Sequence, residues 1–376
     1  MTIAYFVTDL GRGGTQAWVE YAARELIRRG HRITVVAERV PHNRATGLRG
    51  EGIEVHAFDK PQFAAVYADI LKASKTEVLH LSVWENVGQL VRLREVAHIP
   101  VVLSYQHVPK VSLHAFVGRF LAPTARRWGR GDWFSLSEAR MVVDAHAGCC
   151  QALARGIRLK FWPFLQSRIF ALCNAIPMPA LEEQAELPES LHFVQVGALI
   201  DRKDPGLTLE AFAAVAREQP EARLTFVGDG PLRADLEHRR DQLRLFQVSF
   251  AGAADDPSPW YAAASVAVLP SLCEGLPYAL LEAAASGISL IASSVDGNPK
   301  ICRHGINGLL VKPRDQPGLE RAMLRMARSA ETRRNMGEEG RRFVQRDFNI
   351  VGCVDRLLDI YNYLIRNNTR NMSPTV

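Results

Sequence analysis

No stretch of this chain approaches the ~18 consecutive apolar residues that a membrane span requires. Cysteine is scarce: six in 376 residues, none in a C-x-x-C pair, with only Cys149 and Cys150 adjacent. Neither a zinc site nor a disulfide framework is implied, and reduced thiols in a cytoplasmic setting are expected. The start MTIAYFVTDLGRGG has no basic lead, long apolar stretch or small-residue cleavage site, so it does not read as a secretory signal. No Asp-x-Asp triplet occurs, which leaves no evident metal–diphosphate site. The phosphate-binding fingerprint G-x-G-x-x-G, the nucleophile elbow G-x-S-x-G and the P-loop are absent too, which argues against a dehydrogenase, an α/β-hydrolase and a P-loop enzyme.

What is present is ordinary globular material, 47% hydrophobic and 23% charged. The length suggests two domains. The net charge of +6 is uneven: residues 110–168 hold ten Lys or Arg against three acids, Asp132, Glu138 and Asp144. The same stretch carries Phe116, Phe120, Trp128, Trp133, Phe134, Phe161, Trp162 and Phe164. Basic residues among aromatics suit an anionic surface, either lipid headgroups or nucleic acid. A solvated basic face over core aromatics is the plainer reading of the same run.

Short apolar runs alternate with helical stretches through the first half. IAYFVTDL (3–10) reads as a buried strand ending at GRGG (11–14). In the next stretch Trp18, Val19, Ala22, Ala23, Leu26 and Ile27 fall at helical spacing, with Gly30 to end the helix. Segments 32–38, 78–84 and 101–108 read as further strands, and the stretch from Val111 to Asn174 as mostly helical. A Pro-flanked linker spans 177–188, and the pattern then restarts with strands at 191–199, 222–230, 248–253, 265–271 and 289–295. Strand–helix alternation predicts α/β architecture: two Rossmann-like, doubly wound domains facing a central cleft. The expected parts are 1–180, 181–350, and a C-terminal helix in 351–376 packing back toward the first domain.

The densest chemical signal is PSLCEGLPYALLEAAASG (270–287). Glu274 falls in a loop and Glu282 on the following helix, whose N-terminus near Gly275 and Leu276 favours phosphate. Ionised carboxylates accept hydroxyl hydrogens, so one glutamate suits sugar hydroxyls and the other ribose. An N-terminal acid and a surface glutamate on a structural helix would look the same in isolation.

The pair is not isolated. VGALIDRKDP (196–205), VGDGPL (227–232), the Glu274–Glu282 segment and HGINGLLVKPRD (304–315) follow in order. In these motifs the chain resembles glycosyltransferase family 4 of the GT-B superfamily, most specifically over 190–350 and more weakly at GRGGTQ (11–16). The resemblance implies a retaining, metal-independent transferase without a cofactor, moving a sugar from a nucleotide donor, with UDP expected on family frequency. It implies that Glu282 holds the donor ribose, Glu274 contacts the transferred sugar, and Gly275 and Leu276 offer backbone amides. Lys203 would clamp the pyrophosphate, and Gly13 and Gly14 would let the backbone approach the donor. His107 would lie near the transferred sugar. The first domain would bind the acceptor, a glycan or lipid-linked glycan of lipopolysaccharide or exopolysaccharide assembly, at the inner face of the cytoplasmic membrane. Nucleic acid is not an expected partner. A soluble acceptor, or a nucleotide-sugar-binding subunit without turnover, are the alternatives.

Two positions depart from the family pattern. Ala198 stands where an Arg commonly serves as a second phosphate clamp; Arg202 is nearby, with a direction that the sequence does not give, and donor affinity falls if nothing substitutes. Lys300 stands where Glu is frequent, and it could face the base, the acceptor or solvent.

Overall fold

The computed structural model describes residues 1–11, 13–57, 63–82, 97, 99, 101–106, 144–161, 168–178 and 190–371. The chain forms two compact units: Met1–Asn174 together with the segment from Ile350 on, and Ala175–Asn349.

In the first unit, β1 (Thr2–Asp9), β2 (Arg32–Arg39), β3 (Glu54–Ala57), β4 (Val78–Leu81), β5 (Val101–Gln106), β6 (Ala145–Gly148) and β7 (Ile169–Ala171) form one parallel sheet in the order β3-β2-β1-β4-β5-β6-β7. Its described helices are α1 (Gly14–Arg28), α2 (His42–Gly50), α3 (Phe63–Ala73) and α4 (Gln151–Phe161). Helices on both faces of a parallel sheet bury both sides of its strands, which is why β1 is apolar from Ile3 to Val7 without alternation. The periodic residues of α1 (Trp18, Val19, Ala22, Ala23 and Leu26) are all buried.

The expectation of a mostly helical stretch from Val111 to Asn174 needs correction within its described part. Residues 111–143 lie outside the described residues; β6 and β7 are strands, and α4 alone is helical. The β6 sequence AHAG contains no β-branched residue. Its extended state comes from pairing with β5 on one side and β7 on the other, a tertiary cause that local propensity does not carry. Likewise β4 closes at Leu81, short of the expected end at 84.

The second unit repeats the winding. Its elements are β8 (His192–Val196), α5 (Pro205–Glu218), β9 (Arg223–Val227), α6 (Arg233–Gln242), β10 (Val248–Gly252), α7 (Ser258–Ala262), β11 (Val266–Leu269), α8 (Tyr278–Ala285), β12 (Ser289–Ser293), α9 (Asn298–Ile301), β13 (Gly308–Val311), α10 (Gln316–Arg328) and α11 (Ala330–Asp347). The strands run parallel in the order β10-β9-β8-β11-β12-β13. Phe193, Phe212, Phe226, Leu319 and Met323 fill the core between the sheet, α5 and α10. The strand order reverses between β8 and β11, and in sheets of this kind ligands bind at such a switch point, beyond the carboxyl ends of the strands. Close approach of neighbouring loops depends on glycine. At Gly228, with φ of +154°, a Cβ would stand 1.9 Å from the Gly197 carbonyl oxygen.

A final helix, α12 (Ile350–Asn371), belongs to the first unit. Its Asp355 pairs with Arg29 at 2.5 Å, and Arg29 also donates to the Val351 carbonyl at 2.9 Å. Deeper in, the Tyr361 hydroxyl shares a hydrogen bond of 2.6 Å with Nδ1 of fully buried His80 on β4. Tyr5, Trp18 and Tyr105 ring this pair, with Trp18 stacked on Tyr105 at 4.9 Å. Burial pushes the His80 imidazole down to about 3, so it is neutral at any working pH. No described helix is long and apolar enough to cross a membrane.

Tyr361→Phe should therefore leave a buried imidazole nitrogen unpaired and cost about 1–3 kcal/mol. Urea unfolding should show a lower midpoint at an unchanged slope. An unchanged midpoint would mean that the other contacts of α12 hold it without this bond.

Candidate active site

The chain leaves β8 through Gly197, whose φ of +146° turns it away from the sheet. It then forms a 3-10 turn, Asp201–Lys203, closed by Asp204 in the left-handed region at φ 46°. Asp204 is followed by Pro205 at the first position of α5, where the missing N–H costs nothing. The turn is pinned from below and from the side. The Gln195 side chain on β8 donates to the Lys203 carbonyl at 3.1 Å, and the Leu272 N–H donates to the Arg202 carbonyl at 2.8 Å. The second of these bonds joins the loop after β8 to the loop after β11 across the switch point.

That juncture brings charge together. The Lys203 ammonium forms a direct ion pair with Oε1 of Glu274. Arg202 places Nη1 3.4 Å from Oε2 of the same carboxylate and 3.1 Å from the Cys273 carbonyl oxygen. The Glu274 side chain is only 6% exposed and Lys203 13%, so the pair is partly desolvated and poorly screened. A carboxylate in such a place needs cationic partners, and here each oxygen has one. Arg202 thus supplies a second cation to the group that Lys203 holds, whereas Ala198 is exposed and offers none.

Glu282 lies in the second turn of α8, in a different environment. No ion pair joins it to Lys203 or Arg202 among the described residues. The Tyr261 hydroxyl donates to its Oε2 at 3.4 Å and to the Ala279 carbonyl at 3.1 Å. Burial, helped by the negative charge of Asp256, pushes the Glu282 carboxyl up to about 7, and the Tyr261 hydrogen bond only partly offsets this. Gly275 and Leu276 lead into α8, whose N-terminus carries no side-chain cap and no acid in its first turn.

The second unit therefore brings Arg202, Lys203 and Glu274 into one cluster, with Gly275 and Leu276 beside it and Glu282 on the adjoining helix. Gly13 and Gly14 belong to the first unit. Gly13 is the N-cap of α1 at φ 146°, and a Cβ there would stand 2.6 Å from Oε1 of Gln16. His107 lies outside the described residues. Reading the motifs missed Tyr261 and Gln195, because a Tyr on a short helix and a Gln inside a strand carry no motif of their own.

Comparison with known proteins agrees with these motifs. Residues 190–329 match the family model described as glycosyl transferases group 1. A galactosyltransferase of Escherichia coli, named UDP-Gal:alpha-D-GlcNAc-diphosphoundecaprenol alpha-1,3-galactosyltransferase, is 30% identical over 182 residues, 47% of each chain. The lipopolysaccharide core biosynthesis glycosyltransferase LpsE of Rhizobium meliloti is 28% identical over 187 residues, 50% of this chain and 53% of its own. The chain thus spans about half the length of these curated relatives. The crystal structure of Anabaena HepE in complex with UDP and glucose superposes with a TM-score of 0.76 at 14% identity, covering 96% of this chain and 98% of that one. The fold is GT-B, and the resemblance to its group 1 glycosyltransferases holds.

The raised Glu282 carboxyl has a consequence for stability. The folded state keeps its proton up to about pH 7, whereas an unfolded glutamate releases it near 4.5. Its contribution is fully present below the unfolded value and is lost as pH rises toward 7. Glu282→Gln, which does not titrate, should gain on the wild type between pH 5 and pH 8 by on the order of 2–3 kcal/mol. Thermal unfolding without nucleotide at both pH values checks this; a constant difference would mean that the carboxyl is solvated.

Proposed function

We propose that this chain is a retaining, metal-independent glycosyltransferase of family 4 that transfers a sugar from a UDP-activated donor. The acceptor in this reading is a hydroxyl of a lipid-linked glycan in lipopolysaccharide or exopolysaccharide assembly, met at the inner face of the cytoplasmic membrane. One observation carries the reading: Arg202, Lys203 and Glu274 converge at the switch point of a sheet whose residues match the group 1 family model. The Escherichia coli relative, whose name specifies UDP-Gal and a diphosphoundecaprenol-linked acceptor, supports both the nucleotide and the lipid-linked acceptor. The HepE structure with UDP and glucose supports the nucleotide.

In the reaction so conceived, the bond between the anomeric carbon and the diphosphate oxygen breaks. The acceptor oxygen bonds to that carbon on the same face, and its proton passes to the departing diphosphate. The protein's share is positioning and charge stabilisation. Arg202 and Lys203 meet the negative charge that grows on the diphosphate, the guanidinium as a planar fork and the ammonium as a point charge. Glu274, with His107 by resemblance, orients the sugar, and Glu282 accepts from the ribose hydroxyls. Gly13 and Gly14 let the backbone near the donor.

Thermal unfolding with UDP, GDP, ADP and CMP tests the donor class. UDP at ~100 times its dissociation constant should stabilise the fold by about 2.7 kcal/mol, with smaller effects from the others. Glu282→Ala should weaken that binding by about 1.5–3 kcal/mol. A shift with none of the four nucleotides would sink the donor-site reading.

The ribose diol donates, so it selects the ionised form of Glu282, and binding should expel the proton held up to about pH 7. UDP affinity should then rise with pH from 6 to 8. Calorimetry in buffers of different ionisation enthalpy should report more protons released in the wild type than in Glu282→Gln. Equal release in both would remove Glu282 from the nucleotide contact.

A further inference from the structure

Glu274 is held a second time, by a group that is not a cation. In the loop between β12 and α9, the Asp296 carboxylate accepts the Glu274 N–H at 2.9 Å through Oδ2. Asp296 does so from the left-handed region, at φ of +41°. Residues with a Cβ reach that region at a cost, and such strain persists where its surroundings demand it. The side chain is exposed, so core packing does not impose the conformation.

The loop after β11 and the loop after β12 meet at three successive points along their sequences. The Ser293 hydroxyl donates to the Ser271 carbonyl at 2.5 Å. Asp296 accepts from the Glu274 amide. Gly297 lies so close to Gly275 that a Cβ would stand 1.8 Å from the Gly275 carbonyl oxygen. Glycine would take the left-handed backbone at position 296 without strain. Glycine there would offer no carboxylate to the Glu274 amide, so this bond requires a side chain at a backbone conformation that favours glycine.

We infer that Asp296 is a positioning residue for the donor site. Its carboxylate fixes the peptide entering Glu274, so that the Glu274 side chain stays registered against Lys203 and Arg202, where the transferred sugar would be oriented. This rests on the donor-site reading above.

Three variants at this position separate the roles of strain and acceptor. Asp296→Asn keeps an acceptor oxygen and the strained backbone. Asp296→Ala keeps the strain and loses the acceptor. Asp296→Gly loses both, and its relieved backbone protects against a failure to fold. Hydrogen exchange of the Glu274 amide should accelerate roughly ten- to hundredfold in the Ala and Gly variants and stay near wild type in Asn. Turnover is read as UDP released from a panel of UDP-glucose, UDP-galactose and UDP-N-acetylglucosamine. At saturating donor it should fall at least tenfold in the Ala and Gly variants, with KM for the donor and Kd for UDP within about threefold of wild type, and Asn should restore it. A Gly variant as active as wild type, or an Asn variant as poor as Ala, would overturn the positioning role. A wild-type protein that neither binds UDP nor releases it from any of these donors would instead defeat the underlying donor-site reading, and the inference with it.

Discussion

A carboxylate taken almost wholly out of water needs a cation against it, and Glu274 has two. Much of the surrounding backbone is explained by what it takes to make that meeting. Lys203 and Arg202 must arrive from the end of β8, so the chain turns at Gly197, and Gly228 leaves the neighbouring loop room to pass. The 3-10 turn that presents them ends at Asp204 in a left-handed conformation, from which α5 starts at Pro205. Glu274 must arrive from β11, which lies beside β8 only because the strand order reverses there. The backbone bond from Leu272 to Arg202 then holds the two loops at the distance the ion pair requires.

The two glutamates of the segment from 270 to 287 show how environment divides the work between like groups. Glu274 is buried among cations. Glu282, eight positions on, meets a tyrosine hydroxyl and a neighbouring aspartate instead, and burial lifts its carboxyl to about 7. One is arranged to act as a charge within an ion-pair network. The other is a group whose charge is contingent on what approaches it. Pairs of titratable residues with divergent surroundings mark places where acidic groups have distinct tasks, and spacing along a sequence does not show which member has which surroundings.

How much was legible follows from the range of the interactions involved. The buried strands β1, β2, β8 and β9 announced themselves as short, mostly apolar runs, and α1 through the spacing of Trp18, Ala22 and Leu26. The order of the motifs pointed to Lys203, Glu274 and Glu282. Features made by contact between distant segments were not legible. The strand AHAG depends on its neighbours. The seal of Tyr361 on His80 joins residues 281 positions apart. Tyr261 from α7 and Asp296 from the loop after β12 act on Glu282 and Glu274, and neither residue type at that spacing suggests the contact.

The departure at position 198 shows what kind of feature a site of this sort retains. An absent arginine reads as a loss if residues are counted by place in a motif. In space a 3-10 turn brings a different pair of cations, Arg202 and Lys203, to the Glu274 carboxylate. With three residues per turn, neighbours such as Arg202 and Lys203 leave the backbone about 120° apart. Both nonetheless reach Glu274, because their side chains are long and its two oxygens face different directions. The ammonium takes Oε1, while one guanidinium nitrogen spans Oε2 and the Cys273 carbonyl. The guanidinium also contacts the backbone that carries Glu274, so it braces the loop as well as facing the charge. A cation from position 198 would come from the exposed rim of the turn; from position 202 it comes already tied to the loop that bears the glutamate.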